Sequence, residues 1–461
     1  MKKFLFSIAA VLILFSSCSK DEKTKILTSI PENTSFVALV DLQKLGEGMG
    51  VTQESDGKIK VGKEMSQLVS SLDSKGAETL QDIKNNKFSF QLTYAALFED
   101  KGDTFVTFFV DDEQAFIDEL SRLNDNTKFE KDAGVWLDNH KTMGVKDNQV
   151  WIRTNGGEPL KAGQIIRFSK LGEKDSFCSV EYAQTMIDGS DDVQLYADAK
   201  SVTDLLGSDA ISAKMALATV FEDASYLTGS VNFTDGKIET KLRILDKNFK
   251  PTKLAIGLDE INPGMLDSFK GVGNVFFALN VNPGSIEKLV SQYQETLKSA
   301  LMLDDALISS LKNLDGTIIG SIDAGKGMEV IVPFKDAASA QAPADFLRQM
   351  GEGLSVNTEN NLVVMKAGEP SGKPISSVAS VFKNSYGGFV VSYNNDATEL
   401  DKTVSEYVKQ ASLLIKKDGN GVELSLTVDT KPGRNALLSC IELRNQVEEM
   451  MKNNRSSHVM E

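Results

Sequence analysis

An apolar strand, then Asp or Asn, then an amphipathic helix: this unit recurs along the chain, and the recurrence narrows the fold more than any other feature. Residues 36–40 (Phe-Val-Ala-Leu-Val) precede Asp41, Leu42 and Leu45. Residues 105–110 precede Asp111, Asp112 and an apolar stripe through Phe116, Ile117 and Leu120. Residues 193–197 precede Asp198, Val202, Leu205 and Leu206. Two further apolar segments, 226–233 and 238–244, flank an Asp235-Gly236 turn and read as a hairpin. The same order then begins again. Residues 275–279 lead to Asn280, Ile286, Leu289 and Val290, and 328–332 lead to Asp336 and a helix reaching Phe346 and Leu347. Residues 389–393 lead to Asn394, Asp396, Leu400 and Val404. A turn at Asp418-Gly419, a strand at 422–428 and a closing helix starting near Asn435 complete the second round.

The strands carry β-branched and aromatic residues. Asp and Asn suit helix starts, because their side-chain oxygens accept from free backbone N–H groups. Apolar residues spaced three and four apart let each helix lie on a sheet. The expectation is an α+β protein of two tandem similar domains, each a mostly antiparallel sheet with helices packed on one face. The first repeat spans 29–250 and the second, with its C-terminal helix, 271–461. Pro251 and Asn262-Pro263-Gly264 mark 251–270 as the linker region.

The first residues give location. Lys2 and Lys3 precede an apolar run from Phe4 to Phe15, followed by Ser16, Ser17 and Cys18. This is the order of a secretory signal, and the run is too short to span a bilayer, which takes roughly 20 apolar residues. Small residues directly before a cysteine suit a lipoprotein signal peptidase. The expectation is a signal peptide over 1–17, a lipidated Cys18 and a flexible tether to residue 28. Ser19, Lys20, Asp21 and Glu22 resemble the surface-export signal of Bacteroidetes lipoproteins, which implies display at the cell surface from the outer membrane.

The lipobox-like 15–18 (Phe-Ser-Ser-Cys), the opening Ile30-Pro31 with residues 35–41, and the echo at 275–280 resemble a family of uncharacterised Bacteroidetes lipoproteins known only as a domain of unknown function. The resemblance covers nearly the whole mature chain. It implies fold and envelope location, and it carries no activity and no site residues.

Cleavage before Cys18 removes two lysines and takes the net charge from −15 to −17. So acidic a chain has no basic stripe for nucleic acid, and it points to membrane attachment through the lipid anchor only. Cys178 and Cys440 are expected as free thiols, although an exported protein also permits their pairing.

Chemistry is sparse. His140 and His458 are the only histidines, and no G-x-S-x-G elbow supplies a serine nucleophile. The cysteines and histidines do not assemble a zinc set, and the acidic turn 188–192 lacks the spacing of a calcium loop. Residues 368–373 are one residue short of a P-loop, and Pro374 stands where magnesium needs a hydroxyl. No metal and no cofactor is expected. Trp136 and Trp151 lie in one short stretch and would form a sugar-stacking platform if both faced one side; core packing is the alternative. The expected function is therefore a lipid-anchored envelope protein, non-catalytic, that binds a partner protein or glycan. The alternatives are a periplasmic carrier of an apolar ligand, needing a large apolar cavity, and a carboxylate hydrolase, needing clustered acids of raised pKa.

Overall fold

The structure is a computed structural model and describes residues 20–457 apart from 54–58, 64–65, 67–92, 124–126, 156–157, 200–222, 255–256, 296–297, 299–303, 350–352, 394–398 and 420. Cys18, Ser19, the 202–206 helix, Asn394, Asp396 and His458 lie outside the described residues. The described chain is α+β, with antiparallel strand pairing throughout and eighteen strands in a large sheet. It divides into two compact units, the first formed by Met1–Gly207, Tyr226–Ile238 and Pro432–Glu461 and the second by Ser208–Ser225 and Glu239–Lys431.

Unit 1 opens with α1 (Lys20–Thr28), β1 (Phe36–Asp41) and α2 (Leu42–Gly48), then the short pair β2 (Val51–Gln53) and β3 (Ile59–Val61). The hairpin β4 (Tyr94–Asp100) and β5 (Asp103–Phe109) is followed by α3 (Glu113–Leu123). Four strands then meander: β6 (Phe129–Asp132), β7 (Val135–Asp138), β8 (Met143–Lys146) and β9 (Gln149–Arg153). Next come α4 (Ala162–Ser169), α5 (Ala183–Asp188), β10 (Val193–Asp198) and β11 (Tyr226–Thr234). The ladders run β11-β10-β1-β4-β5-β9-β8-β7-β6.

The predicted caps at Asp41 and Asp112 are in place. Asp41 accepts from Lys44 N, and Asp112 accepts from Gln114 N and Ala115 N. Helices cover both faces here, whereas one face was expected. On one face Phe116, Ile117 and Leu120 of α3 pack on Phe108, Val145, Val150 and Ile152. On the other, Phe168 of α4 stacks edge-on to Phe98 and Phe105, and α1 lies with Lys23 Nζ over the Tyr94 ring. The reason lies in β5 and β9, which carry large apolar side chains on both sides (Phe105 against Phe108, Trp151 against Val150 and Ile152), so each face must be covered.

Unit 2 begins with β12 (Lys237–Leu245), α6 (Pro263–Ser268), β13 (Val272–Gly273) and β14 (Val275–Val281). Helices α7 (Pro283–Gln292) and α8 (Asp305–Leu311) follow, then β15 (Gly316–Asp323), β16 (Gly327–Pro333) and α9 (Ala337–Gln349). Strands β17 (Leu354–Glu359), β18 (Leu362–Gly368), β19 (Lys373–Pro374) and β20 (Ser385–Ser392) precede α10 (Glu399–Tyr407), β21 (Val408–Asp418) and β22 (Gly421–Thr430). The ladders run β17-β18-β16-β15-β14-β20-β21-β22-β12. Asn280 was expected to cap the helix after β14. It lies within the strand instead, donating to Glu260 O, and Asn282 caps α7, where Pro283 at the first helical position needs no donor. One face buries Phe276, Ala278, Ile319, Val390 and Leu414 beneath Leu266 and Phe269 and the short turns Ile375–Ser377 and Ala379–Phe382.

The last helix, α11 (Ala436–Ser457), was expected in the second repeat, but its residues belong to unit 1. Leu437, Leu438 and Ile441 bury on the Phe108–Phe116 cluster, and Asn435 Nδ2 donates to Phe233 O. Their apolar stripe therefore ties the helix to unit 1, and residues 239–250, placed in the first repeat by the sequence pattern, group with unit 2.

The expected tether is also folded from Lys20 on. In α1, Ile26 and Leu27 are buried, and Lys23 Nζ donates to Gly189 O at 2.6 Å. A charged segment with two adjacent apolar residues can seat a short helix once carbonyls capture its lysine.

Candidate functional site

The most distinctive surface of unit 2 is the sheet face opposite the Phe276 cluster. It is made by strict alternation: in β22 the residues Val422, Leu424, Leu426 and Val428 share a side, and Glu423, Ser425 and Thr427 take the other. Strand register extends this pattern across seven strands in three rows. The first row runs Val363, Val332, Ile318, Leu279, Gly387, Ile415, Leu424. The second runs Met365, Val330, Gly320, Phe277, Phe389, Leu413, Leu426, and the third Ala367, Met328, Ile322, Val275, Val391, Ala411, Val428. No row contains a polar side chain.

With strands about 4.8 Å apart and residues about 3.3 Å apart along each, the rows cover about 29 Å by about 13 Å. Phe389 is 45% exposed and Leu426 37%, the two exposed large apolar side chains of the described chain, and they flank Leu413 in one row. Exposed apolar side chains clustered on one surface often mark a binding site.

One end of the face is roofed. Ala340, Ala344 and Leu347 of α9 pack over Val356, Val363 and Phe334. Asp336 holds the start of α9 by accepting from Ser339 N at 2.7 Å, and Asp304 holds α8 by accepting from Leu307 N at 2.7 Å. Between α8, α9 and the sheet lies a cleft of about 240 Å³, lined by Leu307, Leu311, Leu314, Val332, Phe334, Pro343, Phe346, Leu347 and Val363. Val332 and Val363 belong to both the cleft and the first row, so the cleft continues the face.

A larger cavity in unit 1, about 360 Å³, has mixed walls including Lys25, Lys146, Asp147, Gln149 and Glu173. A buried amide on its wall is already satisfied: Gln149 Nε2 donates to Ser29 Oγ and Thr107 Oγ1.

The residues singled out from the sequence take structural positions. Trp136 pairs with Val145, whereas Trp151 pairs with Gly144, so the two rings lie on opposite faces and form no platform. Trp151 is fully buried, and Trp136 carries Lys131 Nζ 4.8 Å from its ring centroid. Lys20 pairs with Asp188 at 2.5 Å, and Asp21 is exposed on the first turn of α1. Cys178 and Cys440 are free, the former beside Thr28 Oγ1. Exposed His140 sits in a turn whose N–H donates to Asp138.

The acidic turn 188–192 is a docking point. Its carbonyls receive Lys23 and Lys44, and its carboxylates receive Asn232 Nδ2 and Phe233 N. In the P-loop-like stretch, Ser371 donates through N and Oγ to Asp323, whose carboxyl lies below the usual range; burial raises it, and these donors with Lys326 outweigh burial. Among the described carboxylates only Asp41 is raised, chiefly by burial, and no group of metal-ligating side chains forms among the described residues.

The apolar face was not singled out from the sequence. Its signal is the alternation in β14 and β20–β22, but only the ladder register shows that the apolar sides align.

No known protein family and no curated protein matches the chain. Solved structures of TP0453, a treponemal protein, are similar at TM-score 0.30 and 8% identity in crystal form I and 0.30 and 9% in form III, each covering 77% of this chain and 96% of that one. Likeness at that score carries no argument about function.

Proposed function

We propose that the chain is a non-catalytic envelope lipoprotein, anchored through Cys18 and displayed from the outer membrane, that binds an apolar ligand on the sheet face of unit 2. The carrying observation is the three-row face, entirely apolar and ending in the apolar cleft under α8 and α9. Alternation in a strand buries one side, yet Phe389 and Leu426 stand exposed on the side meant for burial. Among the described residues no cluster of raised acids supports catalysis on carboxylates. The glycan platform loses its support once Trp136 and Trp151 part company; a partner protein seated on the same face remains an outcome of the test below.

We also infer that the chain is an internal duplication. In unit 1 β1 pairs with both β4 and β10, as in unit 2 β14 pairs with both β15 and β20. Isolated bonds repeat as well. Val110 N donates to Asn148 O as Phe334 N does to Asn361 O, and Asp198 N to Ser35 O as Ser392 N to Asn274 O. Phe177 N donates to Ile30 O as Ile375 N does to Gly271 O.

The anchor reading gains a geometric corollary. Lys20 is two residues from Cys18, at most about 7 Å along the chain, so a lipidated Cys18 would hold unit 1 close to the bilayer.

The mature chain is titrated with an environment-sensitive naphthylamine probe. Phe389→Glu and Leu426→Glu are expected to abolish the fluorescence gain while a charge placed at exposed Asp21, as Asp21→Lys, leaves it intact. Unchanged binding in both face variants rejects the face as the site. Protease shaving of whole cells, wild type against Cys18→Ala, tests anchoring: protection of a membrane-bound wild type rejects surface display.

A further inference from the structure

We propose that the occupant of this face is one straight lipid acyl chain, and that the cleft beneath α8 and α9 takes its methyl end and limits its length. The inference rests on the apolar-ligand reading above and adds the ligand class and its direction.

Three observations select an acyl chain. First, the three rows offer no hydrogen-bonding side chain anywhere along them. An extended peptide laid there would leave its backbone N–H and C=O groups unpaired, and a sugar its hydroxyls, at a cost of kilocalories for each group. A hydrocarbon loses nothing. Second, the cleft is too small for a helix, whose diameter with side chains is about 10 Å. At about 240 Å³ it nevertheless exceeds the roughly 150 Å³ apolar cavity that accepts a benzene ring. The end of an acyl chain enters the cleft; an amphipathic helix could lie only on the open face beside it. Third, the first row leads into the cleft without interruption, from Leu279 through Ile318 to Val332 and Val363. The face is about 29 Å across, and a chain occupying half of a bilayer core is about 15 Å long. One chain can therefore lie along a row with its tail in the cleft and its head group toward Phe389 and Leu426.

Two glycines keep the path low. A Cβ at Gly320 would meet the Phe277 ring and one at Gly387 would meet Leu279 Cδ1, within 2.3 Å and 2.5 Å. The Phe277 and Leu279 side chains thus lie down over glycine instead of standing up into the groove.

On this proposal the chain end stops against the helix walls of the cleft. Leu311 of α8 and Leu347 of α9 line it together. Filling it with a larger side chain should shorten the longest chain accepted, and emptying it should lengthen that limit.

The experiment is displacement of the naphthylamine probe from the full mature chain by saturated fatty acids from octanoate to stearate, with lysophosphatidylcholines of the same chains in parallel. Affinity is expected to rise about fourfold per methylene until the cleft is filled, and then to level off. Leu311→Trp should bring the plateau to shorter chains and leave short-chain binding unchanged; Leu311→Ala should carry it to longer ones. The second variant, together with thermal melts of both, separates a filled cleft from a misfolded unit. An unchanged length profile in both, with probe binding still lost in Phe389→Glu, overturns the cleft assignment while the apolar-ligand reading stands. Probe displacement by an amphipathic helical peptide but by no acyl compound overturns the ligand class in favour of a protein partner. Absence of probe binding to the wild type removes the reading beneath it.

Discussion

Phe277 lies across Gly320 on the neighbouring strand, its ring filling the place a side chain at 320 would take: a Cβ there would fall 2.3 Å from Phe277 Cζ. The two residues are paired in register, and the glycine is what lets the phenylalanine lie flat. Gly320→Ala should push the ring off the sheet. Overpacking of this kind costs about 1–3 kcal/mol, to be read as a lower urea midpoint at unchanged slope. Probe binding should weaken in the same variant, because the raised ring stands in the groove.

Trp151 and Trp136 should respond very differently to truncation. Trp151 is fully buried and its indole N–H has no hydrogen-bond partner, so Trp151→Ala should cost about 3–5 kcal/mol while Trp151→Phe costs far less. Trp136→Ala removes a half-buried ring and its contact with Lys131, with about 1 kcal/mol expected from the latter. Chemical denaturation of the three variants checks the order. Neither change should alter retention on immobilised glycans.

Lys23 fastens α1 to unit 1. Its ammonium donates to Gly189 O and Ile187 O and sits 5.2 Å from the centre of the Tyr94 ring. Lys23→Met keeps the apolar stem and leaves part-buried carbonyls short of a donor, at a cost of about 1 kcal/mol. Hydrogen exchange should show faster opening of residues 20–28, with the β4–β5 hairpin protected as before.

Asp323 and Asp41 should shift stability with pH in opposite senses. The folded-state pKa of Asp323 is lowered, with burial opposed and exceeded by Ser371 and Lys326. Its contribution is therefore complete above the unfolded value of about 3.9 and is lost as pH falls through the folded value. Asp323→Asn should destabilise at pH 7, with the deficit shrinking in acid. Asp41 is raised, first by burial, against the bond from Lys44 N. Its penalty is complete above the folded value and is relieved as pH falls from the folded value toward the unfolded one. Asp41→Asn retains a cap for α2, so its stability at pH 7 should equal or exceed the wild type, with a smaller gain in acid. Melts from pH 3 to pH 8, bracketing both carboxylate ranges, distinguish the two.

The predicted strands fall where the sequence pattern puts them. Residues 36–40, 105–110, 193–197, 275–279, 328–332 and 389–393 correspond to β1, β5, β10, β14, β16 and β20, with ends shifted by up to four residues, the largest shift at the start of β20. The caps at Asp41, Asp112 and Asp336 were equally legible, because an N-cap needs only a short side chain and its own next turn. Asn280 misled because the neighbouring Asn282-Pro283 pair is the stronger start signal.

By itself the sequence determined what local physics determines: alternation of strands, positions of helix starts and the α+β class. Tertiary structure decided what depends on register and long-range packing. Which side of β7 and β9 each tryptophan takes follows from their pairing through β8, since one residue of slip exchanges the faces. The return of α11 to unit 1 follows from an apolar stripe finding its partner cluster more than three hundred residues earlier in the chain, at Phe108 and Phe116. The apolar face belongs to the same class. Each strand shows its own alternation, but only hydrogen-bonded register could align seven of them into continuous rows and leave Phe389 and Leu426 uncovered.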